Sequence, residues 1–276
     1  RERAPRSRLM SRSERVTFEN RQGESLAGVI DWPDEAPAAF ALFAHCFSCS
    51  KDLRAAREIS RALSEKGIAV LRFDFAGLGA SEGDFADTNF SSNVDDLVAA
   101  ATFLERANRP ASILIGHSLG GAAVIAAAVR LPGAKAVAVI GAPADAAHVA
   151  HQFGDKADEI RRQGEAAVSL AGRPFILKKQ FLDDIAEARV LDAAAALRRP
   201  LLILHAPRDQ TVAVDNAARL FAAARHPKSF ISLDDADHLL TDPRDARYAA
   251  DVIAAWAARY VNRPASATGG PQLAPM

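Results

Sequence analysis

Cysteine is scarce in this chain: only Cys46 and Cys49 occur among 276 residues. Two cysteines do not make a disulfide framework, so the reducing cytoplasm is the expected compartment. An excess of charge of one sign is also lacking, since 34 Lys and Arg balance 34 Asp and Glu. A neutral chain has no general attraction for polyanions, and nucleic acid is not an expected partner. No apolar run approaches the roughly 20 residues that cross a bilayer, so no membrane association is expected. The first dozen residues are locally basic but lack the apolar core of a signal peptide. No second ligand pair stands at metal spacing, so no metal is expected. The glycine-rich loop at 77–83 lacks the Lys of a P-loop and the spacing of a dinucleotide fingerprint. It reads as a structural turn, and no cofactor is expected.

What is present is ordinary soluble-protein material, 49% apolar and 25% charged, at a length that suits one large α/β domain. Segments 16–20 and 26–32 read as two strands joined by a turn at Gln22-Gly23-Glu24. Continuous apolar runs at 40–44, 68–73, 113–115, 136–140, 200–205 and 230–233 have the look of strands buried on both faces. Helical spacing separates them at 53–66, 93–106, 119–128, 215–225 and 246–260. The alternation predicts a mostly parallel central sheet with helices on both faces. The rhythm breaks between about 145 and 191. That stretch is more polar, carries a small hairpin around Ala171-Gly172-Arg173-Pro174, and reads as an inserted cap or lid. Residues 1–13 are expected to be a disordered terminus. Residues 263–276, rich in Pro, Ala, Gly and Ser, are expected to be a linker-like tail.

The organising stretch is Ile113-Leu114-Ile115-Gly116-His117-Ser118-Leu119-Gly120-Gly121. An apolar strand ends in Gly-x-Ser-x-Gly and enters a helix of small residues, which is the context that makes this motif a nucleophile elbow. Small neighbours let strand and helix backbones approach closely and lift Ser118 above the sheet. The helix then aims its free N–H groups at whatever Ser118 carries. The competing reading is a glycine-rich turn with an idle serine.

Ligands of parallel sheets bind at the carboxyl ends of the strands, so partners of Ser118 should follow strands. A serine hydroxyl is protonated near neutral pH and needs a base, and the base needs a group that sets its tautomer. Of seven histidines, His238 follows the last strand and is the expected base. His205 reads as packed inside its strand, His117 as a wall of the elbow, and His226 as a helix end. His148 and His151 belong to the insertion, at its surface or lining the pocket. Asp209 follows the 200–205 strand and is the expected orienting acid, with Asp145 as runner-up. Asp234 and Asp235 read as solvated, Asp237 as too close in sequence to turn back on His238, and Asp215 as a helix cap. The order Ser118, Asp209, His238 is the one this elbow motif carries. An oxyanion hole is expected from the backbone N–H groups of Leu119 and Phe47, with Cys46 as the neighbour of the second. Cys46 and Cys49 could form a redox pair. They read better as two packed thiols, or as one thiol grazing the pocket.

Gly-His-Ser-Leu-Gly-Gly at 116–121, Asp-x-x-Gly-x-Gly-x-Ser at 74–81, Asp209 and His238 resemble the α/β-hydrolase superfamily. The resemblance spans 16–260 and implies the α/β-hydrolase fold for a domain at 14–262. The stretches 45–52, 89–93, 141–149 and 234–240 resemble more closely the hydrolase half of bacterial α/β-hydrolase/OsmC fusion proteins. That likeness implies a serine esterase with Ser118 as nucleophile, Asp209 as acid, His238 as base and a cap over the acyl site. It also implies a C-terminal OsmC-type partner domain in such fusions, which this chain, ending at Met276, does not contain. Where many relatives have His-Gly, this chain has His45-Cys46, which narrows the pocket and suggests short acyl chains. The expected substrate is a small carboxylic ester, with Cys46 and His148 as candidate pocket residues. Thioester hydrolysis or acyl transfer on the same residues is the alternative chemistry, and a binding module that keeps the elbow only as fold is the non-enzymatic one.

Overall fold

The computed structural model describes residues 12–46, 49–170 and 172–261. Ten strands and eight α-helices are described. Eight strands form one sheet: β1 (Arg12–Glu19), β2 (Ser25–Trp32), β3 (Ala39–Ala44), β4 (Ile68–Phe73), β5 (Ala111–His117), β6 (Ala136–Ile140), β9 (Leu201–His205) and β10 (Lys228–Ser232). Their spatial order is β1-β2-β4-β3-β5-β6-β9-β10. β1 and β2 are an antiparallel hairpin, β2 meets β4 antiparallel, and every other pair is parallel. β7 (Glu165–Leu170) and β8 (Arg173–Lys178) make a separate antiparallel pair inside the insertion.

The apolar runs feed two cores because side chains alternate across a strand. In β5, Ile113 and Ile115 face one core and Leu114 the other. In β9, Leu202 and Leu204 face the first, Leu201 and Ile203 the second. The first core is closed by α1 (Arg54–Ser64) and α8 (Pro243–Val261). The second is closed by α2 (Phe90–Arg106), α3 (Leu119–Ala128) and α7 (Asp215–Ala223). With both faces covered, a strand needs no polar side, which is why these strands read as unbroken apolar runs.

Strand order fixes where a site can form. From β3 the chain crosses to β4 on one side, while β5 leads to β6 on the other. The crossovers diverge between β3 and β5, and that leaves a crevice at their carboxyl ends. The loop after β3 begins with His45-Cys46, and the turn after β5 carries Ser118.

The insertion is more helical than its sequence suggests. It holds a 3₁₀ segment at Ala146–Phe153, then α4 (Lys156–Gln163), the β7–β8 hairpin, α5 (Lys179–Glu187) and α6 (Val190–Ala196). α4 buries only Ala157 and Ile160, so no apolar stripe announces it. α5 buries Phe181, Leu182 and Ile185, a helical spacing that was readable. The insertion docks on loops at the carboxyl side of the sheet. Phe175 of β8 packs on Phe85 of the loop after β4, with ring centroids 4.6 Å apart. The Asp184 carboxylate accepts from the backbone N–H and hydroxyl of Ser91, at 2.8 and 2.6 Å. His148 Nε2–H donates to the carbonyl of Thr211, in the loop after β9, at 2.7 Å. Among the described residues no helix is long and apolar enough to cross a membrane.

Candidate active site

Ser118 sits at the turn between β5 and α3 with φ +56° and ψ −128°. A non-glycine residue there carries backbone strain of about 1–3 kcal/mol, held by the packing around it. The packing is tight enough to demand glycine. A Cβ on Gly116 would collide with the backbone of Gly120, and one on Gly120 with the carbonyl of His45. Close contact between strand, helix and the β3 loop therefore fixes the height of Ser118. Its own N–H is anchored on the carbonyl of Ile140 at 2.8 Å.

His238 and Asp209 arrive from two other strand ends. The imidazole Nε2 of His238 stands 2.9 Å from Ser118 Oγ, and its Nδ1 stands 2.7 Å from Asp209 Oδ2. Asp209 is held in place by its second oxygen. Oδ1 accepts the backbone N–H groups of Thr211 and Val212, each at 2.8 Å. Burial alone would raise the Asp209 carboxyl. The hydrogen bonds from His238 and from those backbone groups outweigh it, and the net shift is downward. The carboxylate therefore stays ionised, and Nδ1 of His238 is the protonated nitrogen. Nε2 is left with a lone pair aimed at the serine hydroxyl.

Neighbours complete this chain of hydrogen bonds. Gly141, after β6, has φ +56°, and a Cβ there would lie 3.4 Å from both Asp209 Oδ2 and His238 Nδ1. A glycine after a strand end was the only sequence signal for its role. His205 is fully buried, and its Nε2–H donates to the carbonyl of Val212 at 2.8 Å. Burial lowers its pKa, so it remains neutral. It packs in its strand as expected, 3.7 Å from Asp209 Oδ2. His117 is buried, its pKa lowered to about 4 first by burial and then by the nearby His238. Asp145 turns away from His238: its carboxylate accepts the N–H of Ala147 at 3.0 Å and opens the 3₁₀ segment.

Two expectations need correction. Asp215 does not cap its helix. Val214 occupies the cap position with no side-chain bond, and Asp215 lies in the first turn of α7. Cys46 and Cys49 are not two free packed thiols but a disulfide. Cys49 N–H donates to the carbonyl of Cys46 at 3.1 Å, and their Cα atoms stand 5.3 Å apart, within disulfide range. Among the two expected oxyanion donors, Leu119 is the first residue of α3, where a backbone N–H has no intrahelical acceptor. Phe47 lies outside the described residues.

The β3 loop is clamped from behind by buried charge. Asp74 accepts Lys51 N–H at 2.6 Å, Lys51 Nζ at 2.8 Å and Ala80 N–H at 2.9 Å. Arg72 donates to the carbonyl of Lys51 at 2.6 Å and to Asp31 at 2.8 Å.

A profile of the alpha/beta hydrolase family matches residues 41–252. The chain belongs to the alpha/beta hydrolase family. Solved structures place this hydrolase beside the esterase domain of a Rhodothermus marinus protein. That domain is 54% identical, and the match covers 91% of this chain and 99% of that one, with a TM-score of 0.75. Uncharacterized protein YfhR of Salmonella typhi is 26% identical over 242 residues, 86% of this chain and 77% of that protein. The mitochondrial palmitoyl-protein thioesterase ABHD10 of Rattus norvegicus is 27% identical over 153 residues, 53% of this chain and 50% of that protein.

Proposed function

We propose that this hydrolase is a serine esterase that cleaves small carboxylic esters through an acyl-enzyme. The observation that carries the reading is the continuous chain Ser118 Oγ, His238 Nε2, His238 Nδ1, Asp209 Oδ2, with links of 2.9 and 2.7 Å. Ser118 Oγ attacks the acyl carbon while its proton passes to His238 Nε2. The carbonyl oxygen takes up the negative charge beside the N–H of Leu119. The C–O bond to the alcohol breaks, and His238 returns the proton to the leaving oxygen. Water then attacks the acyl-serine, gives a proton to His238, and the acid leaves as Ser118 regains its own. Asp209 holds the imidazole and stabilises its cation. The likeness to an esterase domain at 54% identity supports an oxygen ester as substrate.

The insertion, docked over the strand ends, serves in this reading as the cap of the acyl site. The disulfide-tied Cys46 beside it favours short acyl chains. A fluorophosphonate label mapped by mass spectrometry, with a chain-length series of p-nitrophenyl esters, tests the proposal. Labelling is expected at Ser118, and Ser118→Ala is expected to abolish turnover. Labelling elsewhere, or activity of Ser118→Ala within a few-fold of wild type, refutes it. Thioester cleavage is the second reading, favoured by the likeness to a palmitoyl-protein thioesterase. A matched ester and thioester of the same acid separate the two.

A further inference from the structure

We infer that His117 is a positioning residue for His238: its Nε2–H grips the backbone carbonyl of His238 and so ties the base to the strand that carries the nucleophile. This rests on the esterase reading above. The two groups meet at 2.6 Å across 121 positions of sequence. A carbonyl only accepts, so Nε2 of His117 carries the hydrogen and Nδ1 the lone pair. Nδ1 is buried and without a partner in the structure. A leucine or phenylalanine would fill the same space without that orphaned nitrogen, which gives up its water partners for nothing in return. Packing alone therefore does not explain a histidine here. The donated hydrogen bond does.

The geometry shows what the bond holds. His117 is the last residue of β5, paired with Ile140 of β6 in the middle of the sheet. Its strand is paired on both sides, with β3 and with β6, and Ser118 is the next residue. His238 lies in the loop between β10 and α8, where hydrogen bonds are largely local: Ala236 N–H to Leu233, Leu240 N–H to Asp237, and Thr241 N–H to the Asp237 carboxylate. Among the described residues, three hydrogen bonds from His238 cross to other elements. The ring meets Asp209 and Ser118, and the backbone carbonyl meets His117. The first two fix the direction of the ring, but neither fixes the backbone from which it projects. The His117 bond supplies that point, with the two imidazoles 5.1 Å apart. Its low pKa, from burial, keeps His117 a neutral donor at neutral pH. Nucleophile and base are thereby positioned by consecutive residues, the last of β5 and the first of the turn that follows it.

Three substitutions separate this role from simple filling. His117→Phe removes the donor. His117→Gln places an amide N–H near the position of Nε2, whereas the amide of His117→Asn is too short to reach the carbonyl. Displacing a catalytic group by about 1 Å can cost about 100-fold, so kcat for p-nitrophenyl butyrate is expected to fall about 10- to 100-fold in Phe and Asn, with KM within about twofold. Gln is expected to restore kcat to within about fivefold of wild type. A second readout needs no substrate: the low-field proton resonance of His238 Nδ1–H, present in wild type and Gln and lost or broadened in Phe and Asn. The inference is overturned if Phe keeps kcat within about threefold of wild type with the resonance intact. It is equally overturned if Gln and Asn are impaired alike. Should Phe fail to fold by thermal melting, the Gln and Asn pair decides. If Ser118→Ala retains turnover, the esterase reading fails, and the proton resonance still decides the role of His117.

Discussion

Replacing Asp209 by Asn should leave the fold intact and remove the base from the reaction, because the amide has only one comfortable orientation. Oδ1 of Asp209 accepts two backbone N–H groups, from Thr211 and Val212. In Asp209→Asn the amide oxygen must stay there. The flipped amide would set its NH₂ against two donors and lose both bonds, at about 1 kcal/mol or more each. The NH₂ is therefore directed at Nδ1 of His238, now 2.7 Å from the carboxylate. Two hydrogens cannot share that gap, so His238 changes tautomer. Nδ1 becomes the acceptor, and Nε2 carries the hydrogen toward Ser118 Oγ, 2.9 Å away. The lone pair that should take the serine proton is gone. In serine proteases a tautomer loss of this kind lowers kcat by about 10⁴-fold, or about 5.5 kcal/mol in barrier. The assay is kcat for p-nitrophenyl esters together with the rate of fluorophosphonate labelling, with thermal melting as the check on folding. Asp145→Asn is the control and should stay near wild type, since its carboxylate faces Ala147 N–H. A kcat for Asp209→Asn above about a tenth of wild type, or a larger loss in Asp145→Asn, would refute the tautomer argument.

Other tests address what holds the site. Asp96 is buried, and burial first of all raises its carboxyl to about 6. The folded protein then keeps a proton that the unfolded chain releases near pH 4, so this group lowers stability as pH rises from about 4 to about 6. Urea unfolding of wild type and Asp96→Asn across that window should show the variant gaining up to about 3 kcal/mol relative to wild type; a flat difference contradicts the assignment. Gly120→Ala should prevent folding or give inclusion bodies, because its Cβ meets the carbonyls of Ala44 and His45; a soluble variant of wild-type melting temperature would show that the elbow can open. Asp74→Ala removes the acceptor of Lys51 N–H and Ala80 N–H and one of the two carboxylates on the Lys51 amine, which keeps the half-exposed Asp52 at 3.0 Å, and should cost about 2–5 kcal/mol in denaturant unfolding. A loss under about 1 kcal/mol would mean that Asp52 and water satisfy Lys51 without Asp74.

Much of the architecture was legible because it is written locally. An apolar run followed by Gly-x-Ser-x-Gly and a run of small residues admits one compact solution, and the structure has Ser118 on that turn. Runs such as 68–73 and 201–205 lack polar alternation because both faces are covered, so their length alone marked them as inner strands. The filter that site residues follow strands reduced seven histidines to His238, and the structure brings that residue to Ser118. Less local features were not legible. α4 is charged along most of its length and buries only two residues, so it carries no periodic signal. The helical spacing of α5 was present, but the helix follows β8 without a break and with no capping side chain at Lys178 to mark its start.

The sequence by itself determined which stretches are strands, that helices cover both faces, and which residues stand at strand ends. Those properties follow from side-chain period and backbone sterics within a few residues. Tertiary structure alone decided the rest: the strand order that opens the crevice between β3 and β5, the turning of Asp145 to its own backbone and of Asp209 to His238, the joining of Cys46 to Cys49, and the grip of His117 on a carbonyl 121 residues away. The physical reason is that a hydrogen bond depends on where two atoms end up, to within a few tenths of an ångström. Composition and spacing specify which groups are available at a strand end, but only the packed sheet specifies which of them meet.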